Sequence, residues 1–100
     1  MAETATTQKS LVTTDLIEPR KFKVIFLNDD HTPMEFVIDV LVNIFHHTLD
    51  ASNELTLKIH NDGAAIVGVY PYEIAEQKGI ETTHLARSAG YPLNVKIESE

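Results

Sequence analysis

Three segments of the chain have the hydrophobic pattern of β-strands. Residues 22–27 and 64–70 are short runs rich in β-branched, aromatic or small apolar residues, and residues 93–97 alternate between apolar and polar. In the first run, Phe22, Val24 and Phe26 fall on one face because side chains alternate along a strand. We therefore predict three strands.

Apolar residues recur at helical spacing between these strands. The first such stripe has a strong start signal: Thr32 as the N-cap, Pro33 at the first helical position and Glu35 closing a capping box. It predicts a helix that continues through Ile44 and Phe45.

Two further helices follow. One is predicted to begin after Thr48 and to end at Gly63, which suits a C-terminal cap, and the other to open at Pro71 and run to about Ala89. The order β-α-α-β-α-β predicts an α+β fold, with a three-stranded antiparallel sheet covered on one face by three helices.

The N-terminal part lacks this periodicity. Residues 1–19 are rich in Thr, Ala and Ser, so we predict a flexible extension before a core domain at 20–100. No apolar run has the ~20 residues of a membrane span, and residues 1–15 lack the apolar core of a secretory signal, so we expect none. The absence of cysteine excludes disulfides and thiolate zinc sites, and we expect a cytoplasmic protein.

The charge is negative and unevenly placed. The net charge of −7 argues against a protein that binds nucleic acid through its phosphates. Between Asn28 and Asp62 seven acidic residues accompany a single base, Lys58. This segment is either a solvated acidic face or a surface that attracts a cation, such as a basic peptide, a metal or an ammonium group.

Polar acceptors and apolar side chains meet at the start of the first helix. The turn formed by residues 28–31 carries carboxylates directly before Met34, and Met34, Val37 and Leu41 share one helical stripe. Together they suit a ligand with a cationic head and an apolar body. In the alternative interpretation Asn28 and Asp29 only build the turn, and Met34 only fills the core.

The histidines give a weaker indication of a binding site. Thr56 and His60 are four residues apart and share a face of the second helix, but His46 and His47 are adjacent and do not converge on one ion. We expect no metal and no cofactor. A small metal-dependent hydrolase that uses Asp29, Asp30 and His60 is the alternative.

Four segments of the chain resemble the ClpS family of Clp protease adaptors. Residues 23–37 read KVIFLNDDHTPMEFV, which is similar to the family signature KV-x-x-x-NDD-x-TPMEFV. Further similarities lie at Ile59-His60-x-x-Gly63, at residues 68–78 (GVYPYEIAEQK) and at residues 86–93. The resemblance extends over about residues 20–98.

The resemblance implies an adaptor without enzymatic activity or cofactor. Such an adaptor binds proteins that begin with a free Leu, Phe, Tyr or Trp and delivers them to a ClpA-type AAA+ ATPase for degradation by the Clp protease. We expect a monomer that binds neither nucleic acid nor membranes. The alternative is an interaction protein without a pocket, which only docks on the ATPase.

The resemblance also implies a role for particular positions. The α-amino group and first peptide unit of the substrate would be bound or flanked by Asn28, Asp29, Asp30, Thr32 and His60. The pocket for the first side chain would be formed by Met34, Val37, Leu41, Thr56, Ile59 and Leu93, with Met34 as a gate against β-branched residues. The ATPase would be contacted by Glu73 and Lys78.

The sequence departs from the family pattern at several positions. Thr56 occupies a position where many members have a larger apolar residue, often Met, and His31 replaces a common Tyr or Phe. Gly79 and Glu81 follow Lys78 in place of more helix-favouring or apolar residues. The first change bears on the pocket, and the last two bear on ATPase docking.

Overall fold

The β-branched and aromatic run near residue 22 forms the central strand of a three-stranded sheet. A computed structural model describes residues 19–100. Its elements are, in chain order, β1 (Lys21–Leu27), α1 (Met34–Asn43), α2 (Leu49–Asp62), β2 (Ala64–Pro71), α3 (Tyr72–Ser88) and β3 (Asn94–Ser99). The predicted order and the α+β class are confirmed. The predicted N-terminal extension lies outside the described residues, apart from Pro19.

Both neighbours of β1 run antiparallel to it, in the order β2-β1-β3. Leu27, the last residue of β1, pairs with Ala64 on one side and with Asn94 on the other. The β1–β2 register shifts after Val24, so that Val67 is an extra residue on β2. The imidazole Nε2 of His47 lies 2.6 Å from the carbonyl oxygen of Val67, which ties the segment after α1 to this bulge.

The helices cover the face of the sheet that carries Val24 and Phe26. Both side chains are fully buried, whereas Phe22 is half-buried at the margin of the core. The core contains Val24, Phe26, Val37, Val40, Leu41, Ile44, Phe45, Ile59, Ala65, Val67, Ala75, Ala86 and Leu93. Within residues 19–100, no helix has the length and hydropathy to cross a bilayer.

The predicted start of α1 is wrong in its detail. Pro33, in an extended conformation, is the N-cap, and no side chain caps the helix. The hydroxyl of Thr32 instead donates to the Asp29 carboxylate, 2.7 Å away, so Thr32 and Glu35 do not form the predicted capping box. The backbone carbonyl of Pro33 accepts from the amides of Phe36 and Val37.

The first helix also ends earlier than predicted. It stops at Asn43, and His46 adopts a left-handed conformation with φ of 61°. Ile44 and Phe45 lie beyond the helix but are buried, with 6% and 5% exposure. These two residues fitted the apolar pattern of the helix because they are buried in the core. Their backbone, however, lies beyond the end of the helix.

The other two helices follow their sequence signals closely. The Thr48 hydroxyl accepts from the amide of Ala51 at 3.1 Å, and Gly63 ends α2 in a left-handed conformation with φ of 91°. Gly79 is buried inside α3, where an added Cβ would lie 3.2 Å from Ile97 Cδ1. Its small size allows α3 to approach β3, and it belongs to this packing contact rather than to an exposed docking face.

Candidate functional site

The loop after β1 is fixed to the C-terminal end of α2. The backbone amide of Asn28 donates to the carbonyl of Gly63 over 2.9 Å. Since Gly63 is the residue that caps α2, this bond brings the carboxylates of the loop beside the last turn of that helix, which carries His60. The last turn of a helix has a partial negative charge from its free carbonyl groups.

The Asp29 carboxylate organises this loop. Its Oδ1 accepts hydrogen bonds from the backbone amides of His31 and Thr32, at 2.8 and 2.7 Å, and its Oδ2 accepts from the Thr32 hydroxyl at 2.7 Å. Partial burial raises the pKa of the Asp29 carboxyl, but these hydrogen bonds outweigh burial and hold the pKa below its usual value. The carboxylate is therefore charged at neutral pH and retains acceptor capacity for a further donor.

The loop, α1 and α2 enclose a cavity of about 230 Å³. Polar and apolar side chains are both present in its wall. The lining residues are Leu27, Asn28, Asp29, Asp30, Thr32, Met34, Val37, Thr56, Ile59, His60 and Leu93. The cavity thus brings together all five residues predicted to bind the amino group and five of the six predicted to form the pocket.

Exposure divides the lining into an outer and an inner part. Asn28, Asp30 and His60 are exposed, whereas Val37, Ile59 and Leu93 are buried. Acidic groups and the end of the α2 dipole lie at the outer part and favour a cation, while the inner part suits an apolar group. This arrangement can bind a short amphiphilic ligand through a charged head and a buried body.

One predicted pocket residue and both predicted docking residues lie elsewhere. Leu41 is fully buried in the core and does not line the cavity. Glu73 is exposed on the first turn of α3. The Lys78 ammonium donates to the carbonyl of Ile44 at 2.7 Å and lies 5.6 and 5.3 Å from the ring centroids of Phe45 and Tyr70.

Two residues that contribute to the cavity escaped the sequence analysis. Leu27 lines it, although strand alternation places this residue on the face opposite Val24 and Phe26. The Arg87 guanidinium donates to the carbonyls of Tyr91 and Leu93, both at 2.9 Å, and so fixes the segment that carries Leu93 into the wall. Side chain-to-backbone bonds of this kind leave no periodic signal in the sequence.

In the described part of the chain, the acids and histidines do not form a metal cluster. Across residues 19–100, no group of three or more His, Cys, Asp or Glu side chains is arranged to hold an ion. Asp29 and His60 line the same cavity, but among residues 19–100 no third side chain of these types is arranged with them to hold an ion. The geometry thus gives no support to the hydrolase hypothesis.

Comparisons with known proteins agree on one family. Residues 17–96 match the family model of the ATP-dependent Clp protease adaptor protein ClpS. A relative from Nautilia profundicola, named ATP-dependent Clp protease adapter protein ClpS, is 51% identical over 85 residues, which cover 84% of this chain and 87% of the relative. One of the same name from Campylobacter jejuni (strain RM1221) is 45% identical over 92 residues, which cover 92% and 96%.

A solved structure gives the same result for the fold. Agrobacterium tumefaciens ClpS2 bound to L-phenylalaninamide has a TM-score of 0.80 and 41% sequence identity, and the match covers 83% of this chain and 100% of that chain. The proteins of this family are named adaptors of a protease and not enzymes, so the hydrolase hypothesis is wrong. The chain belongs to the ClpS family of ATP-dependent Clp protease adaptor proteins.

Proposed function

We propose that the protein binds the free amino terminus of polypeptides whose first residue is Leu, Phe, Tyr or Trp. The observation that carries this proposal is the cavity, in which a charged carboxylate and an apolar interior lie together. L-phenylalaninamide, the ligand of the related ClpS2, has the matching chemistry: a free α-amino group, one amide and an apolar ring.

The roles divide along the cavity wall. Asn28, Asp29 and His60 bind the α-amino group and the first peptide unit, and Asp30 and Thr32 flank them. The first side chain enters the space lined by Met34, Val37, Thr56, Ile59 and Leu93, which Leu41 supports from the core. Met34 acts as a gate against β-branched first residues, and its 40% exposure in the cavity wall supports this role.

The expected affinity follows from a few contacts. A hydrogen bond to a charged group contributes ~1.5–3 kcal/mol, and burial of a Leu or Phe side chain contributes a similar amount. Association and ordering costs offset part of this gain. We therefore expect Kd values in the micromolar range for short peptides, which correspond to about −8 kcal/mol.

Fluorescence anisotropy with labelled peptides that differ only in their first residue tests this function. We expect binding of the Leu, Phe, Tyr and Trp peptides, weaker binding of Ile and Val, and none of acetyl-Leu, because acetylation removes the charge and adds bulk. Equal binding of Leu and acetyl-Leu peptides would refute amine recognition. Binding of no free-amine peptide would favour the alternative of a protein that only docks on the ATPase.

We also propose that the protein delivers its substrates to a ClpA-type AAA+ ATPase, which it contacts through a surface that includes Glu73. This proposal rests on the family and on the exposure of Glu73. Lys78 is the second residue proposed for this contact, and its ammonium also donates to the carbonyl of Ile44.

Calorimetric titration with the N-terminal domain of a ClpA-type ATPase tests the docking surface. Glu73→Lys should weaken binding at least tenfold, while Glu54→Lys, which reverses an exposed acid on α2, should leave it within twofold. Equal effects of the two variants would show that net charge, and not this surface, governs docking.

A further inference from the structure

An unpaired hydroxyl lies in the wall of the cavity. Thr56 is 4% exposed, its Oγ1 is shielded from solvent, and no hydrogen-bond partner reaches that oxygen. A buried polar atom without a partner is unfavourable, and most such atoms in folded proteins are paired. A ligand group that pairs with this hydroxyl would therefore be selected over one that does not.

The position of Thr56 along α2 shows which part of a ligand it meets. It precedes His60 by four residues, so both lie on one face and are separated by about 6 Å along the helix axis. His60 is exposed and Thr56 is buried, so this face leads from the outer part of the cavity to its interior. A side chain anchored by its amino group beside His60 would approach Thr56 with its far end.

We infer that Thr56 is a specificity-determining residue that hydrogen-bonds the phenolic hydroxyl of a tyrosine at the first position of the substrate. This inference rests on the proposed function of the cavity. A threonine in a helix has two accessible χ1 rotamers, so Oγ1 can turn toward a ligand, and a tyrosine hydroxyl both donates and accepts. A phenylalanine ring has the same shape but leaves the Thr56 hydroxyl unpaired.

The rest of the inner wall sharpens this selection. Val37, Ile59 and Leu93 offer no side-chain hydrogen-bonding groups, so in their company a phenolic hydroxyl would lose its water without compensation. Thr56 supplies the missing partner for that hydroxyl. One hydrogen bond between them satisfies both the Thr56 hydroxyl and the phenolic hydroxyl. The preference for Tyr over Phe at the first position should therefore depend on Thr56 alone.

The chain provides a matched control one turn away. Ser52 is fully buried on α2, and its hydroxyl is likewise unpaired, but it does not line the cavity. Ser52→Ala therefore removes a comparable hydroxyl outside the cavity. Thr56→Val replaces the hydroxyl by a methyl group of similar shape, and Thr56→Ser retains the hydroxyl.

The test is the ratio of Kd for a Phe-initiated peptide to Kd for the otherwise identical Tyr-initiated peptide, measured by anisotropy. A neutral hydrogen bond changes an affinity by roughly two- to tenfold. We expect Thr56→Val to lower the ratio about fivefold, and Thr56→Ser and Ser52→Ala to keep it within twofold of the original protein.

Each outcome separates the inference from the function on which it rests. If the original protein binds both peptides and Thr56→Val leaves the ratio unchanged, the inference is overturned while the proposed function stands. If the original protein binds neither peptide, both are overturned. If Thr56→Val does not fold, Thr56→Ala replaces it, and the same fall in the ratio is required.

Discussion

Replacement of Asp29 separates the two roles that the structure gives this carboxylate. Asp29 holds the loop through three hydrogen bonds, and it is the proposed partner of the substrate ammonium. Asp29→Ala removes both roles. Asp29→Asn retains an acceptor oxygen for the two backbone amides, and its NH₂ group can donate to the Thr32 hydroxyl, so only the charge is lost.

The two variants should therefore differ in thermal stability but lose peptide affinity to the same extent. The loss of a side chain that caps backbone amides costs ~0.5–2 kcal/mol, and each 1 kcal/mol lowers the Tm of a domain of this size by roughly 4–8 °C. Asp29→Ala should accordingly unfold about 2–16 °C below the original protein, and Asp29→Asn much closer to it. The loss of one hydrogen bond to a charged group, ~1.5–3 kcal/mol, predicts at least about tenfold weaker binding of a Leu-initiated peptide in both variants.

Calorimetric melting and peptide anisotropy on the same samples measure both effects. Asp39→Asn is a matched control because Asp39 is an exposed acid on α1 that does not line the cavity. If folded Asp29→Asn binds the Leu peptide within twofold of the original protein, the carboxylate does not recognise the ammonium. If Asp29→Ala melts together with Asp29→Asn, the loop does not depend on the three hydrogen bonds.

Three further predictions concern pH, the proposed gate at Met34 and the half-buried Lys78. Hydrogen bonds lower the pKa of the folded Asp29 carboxyl below 3.8. The stability that its charge contributes is therefore present above that pH and is lost as the pH falls through the folded pKa. The Tm difference between the original protein and Asp29→Asn should be constant from about pH 7 to 5 and shrink below about pH 4. Met34→Ala should raise the affinity for Ile- and Val-initiated peptides several-fold in anisotropy, because a partly exposed side chain in the cavity wall becomes smaller; unchanged affinities would count against the gate. Lys78→Met should lower the free energy of unfolding in urea by roughly 1–3 kcal/mol, because the Ile44 carbonyl loses its donor, whereas Lys58→Met, at an exposed position, should not.

Periodicity and capping residues predicted the elements well where local signals and the backbone agree. Thr48 caps α2 and Gly63 ends it, as the sequence indicated. The alternation along β1 placed Val24 and Phe26 on the buried face. These features depend on residues close together in sequence, and for that reason they could be predicted.

Features that depend on contacts between distant residues could not be predicted in this way. Even between neighbours in sequence the outcome can be ambiguous: the Thr32 hydroxyl has two possible partners, the helix and the Asp29 carboxylate, and only the folded loop decides between them. The bond from Lys78 to the Ile44 carbonyl spans 34 residues, and that from Asn28 to Gly63 joins a loop to a helix end. The family resemblance supplied the residues of the candidate site, but it did not show that Leu41 is buried in the core and does not line the cavity.

The division of the cavity implies that two properties of the ligand are selected independently. The outer part depends on a loop fixed by Asp29 and by the Asn28–Gly63 bond, and it is the proposed site of the charged head. The inner part depends on side chains of α1, α2 and the segment before β3, and it is the proposed site of the buried group. Substitutions in the two parts should act additively where they lie more than about 7–10 Å apart and share no hydrogen-bond partner. A change at Thr56 should thus alter which first residue is preferred while the requirement for a free amino group persists.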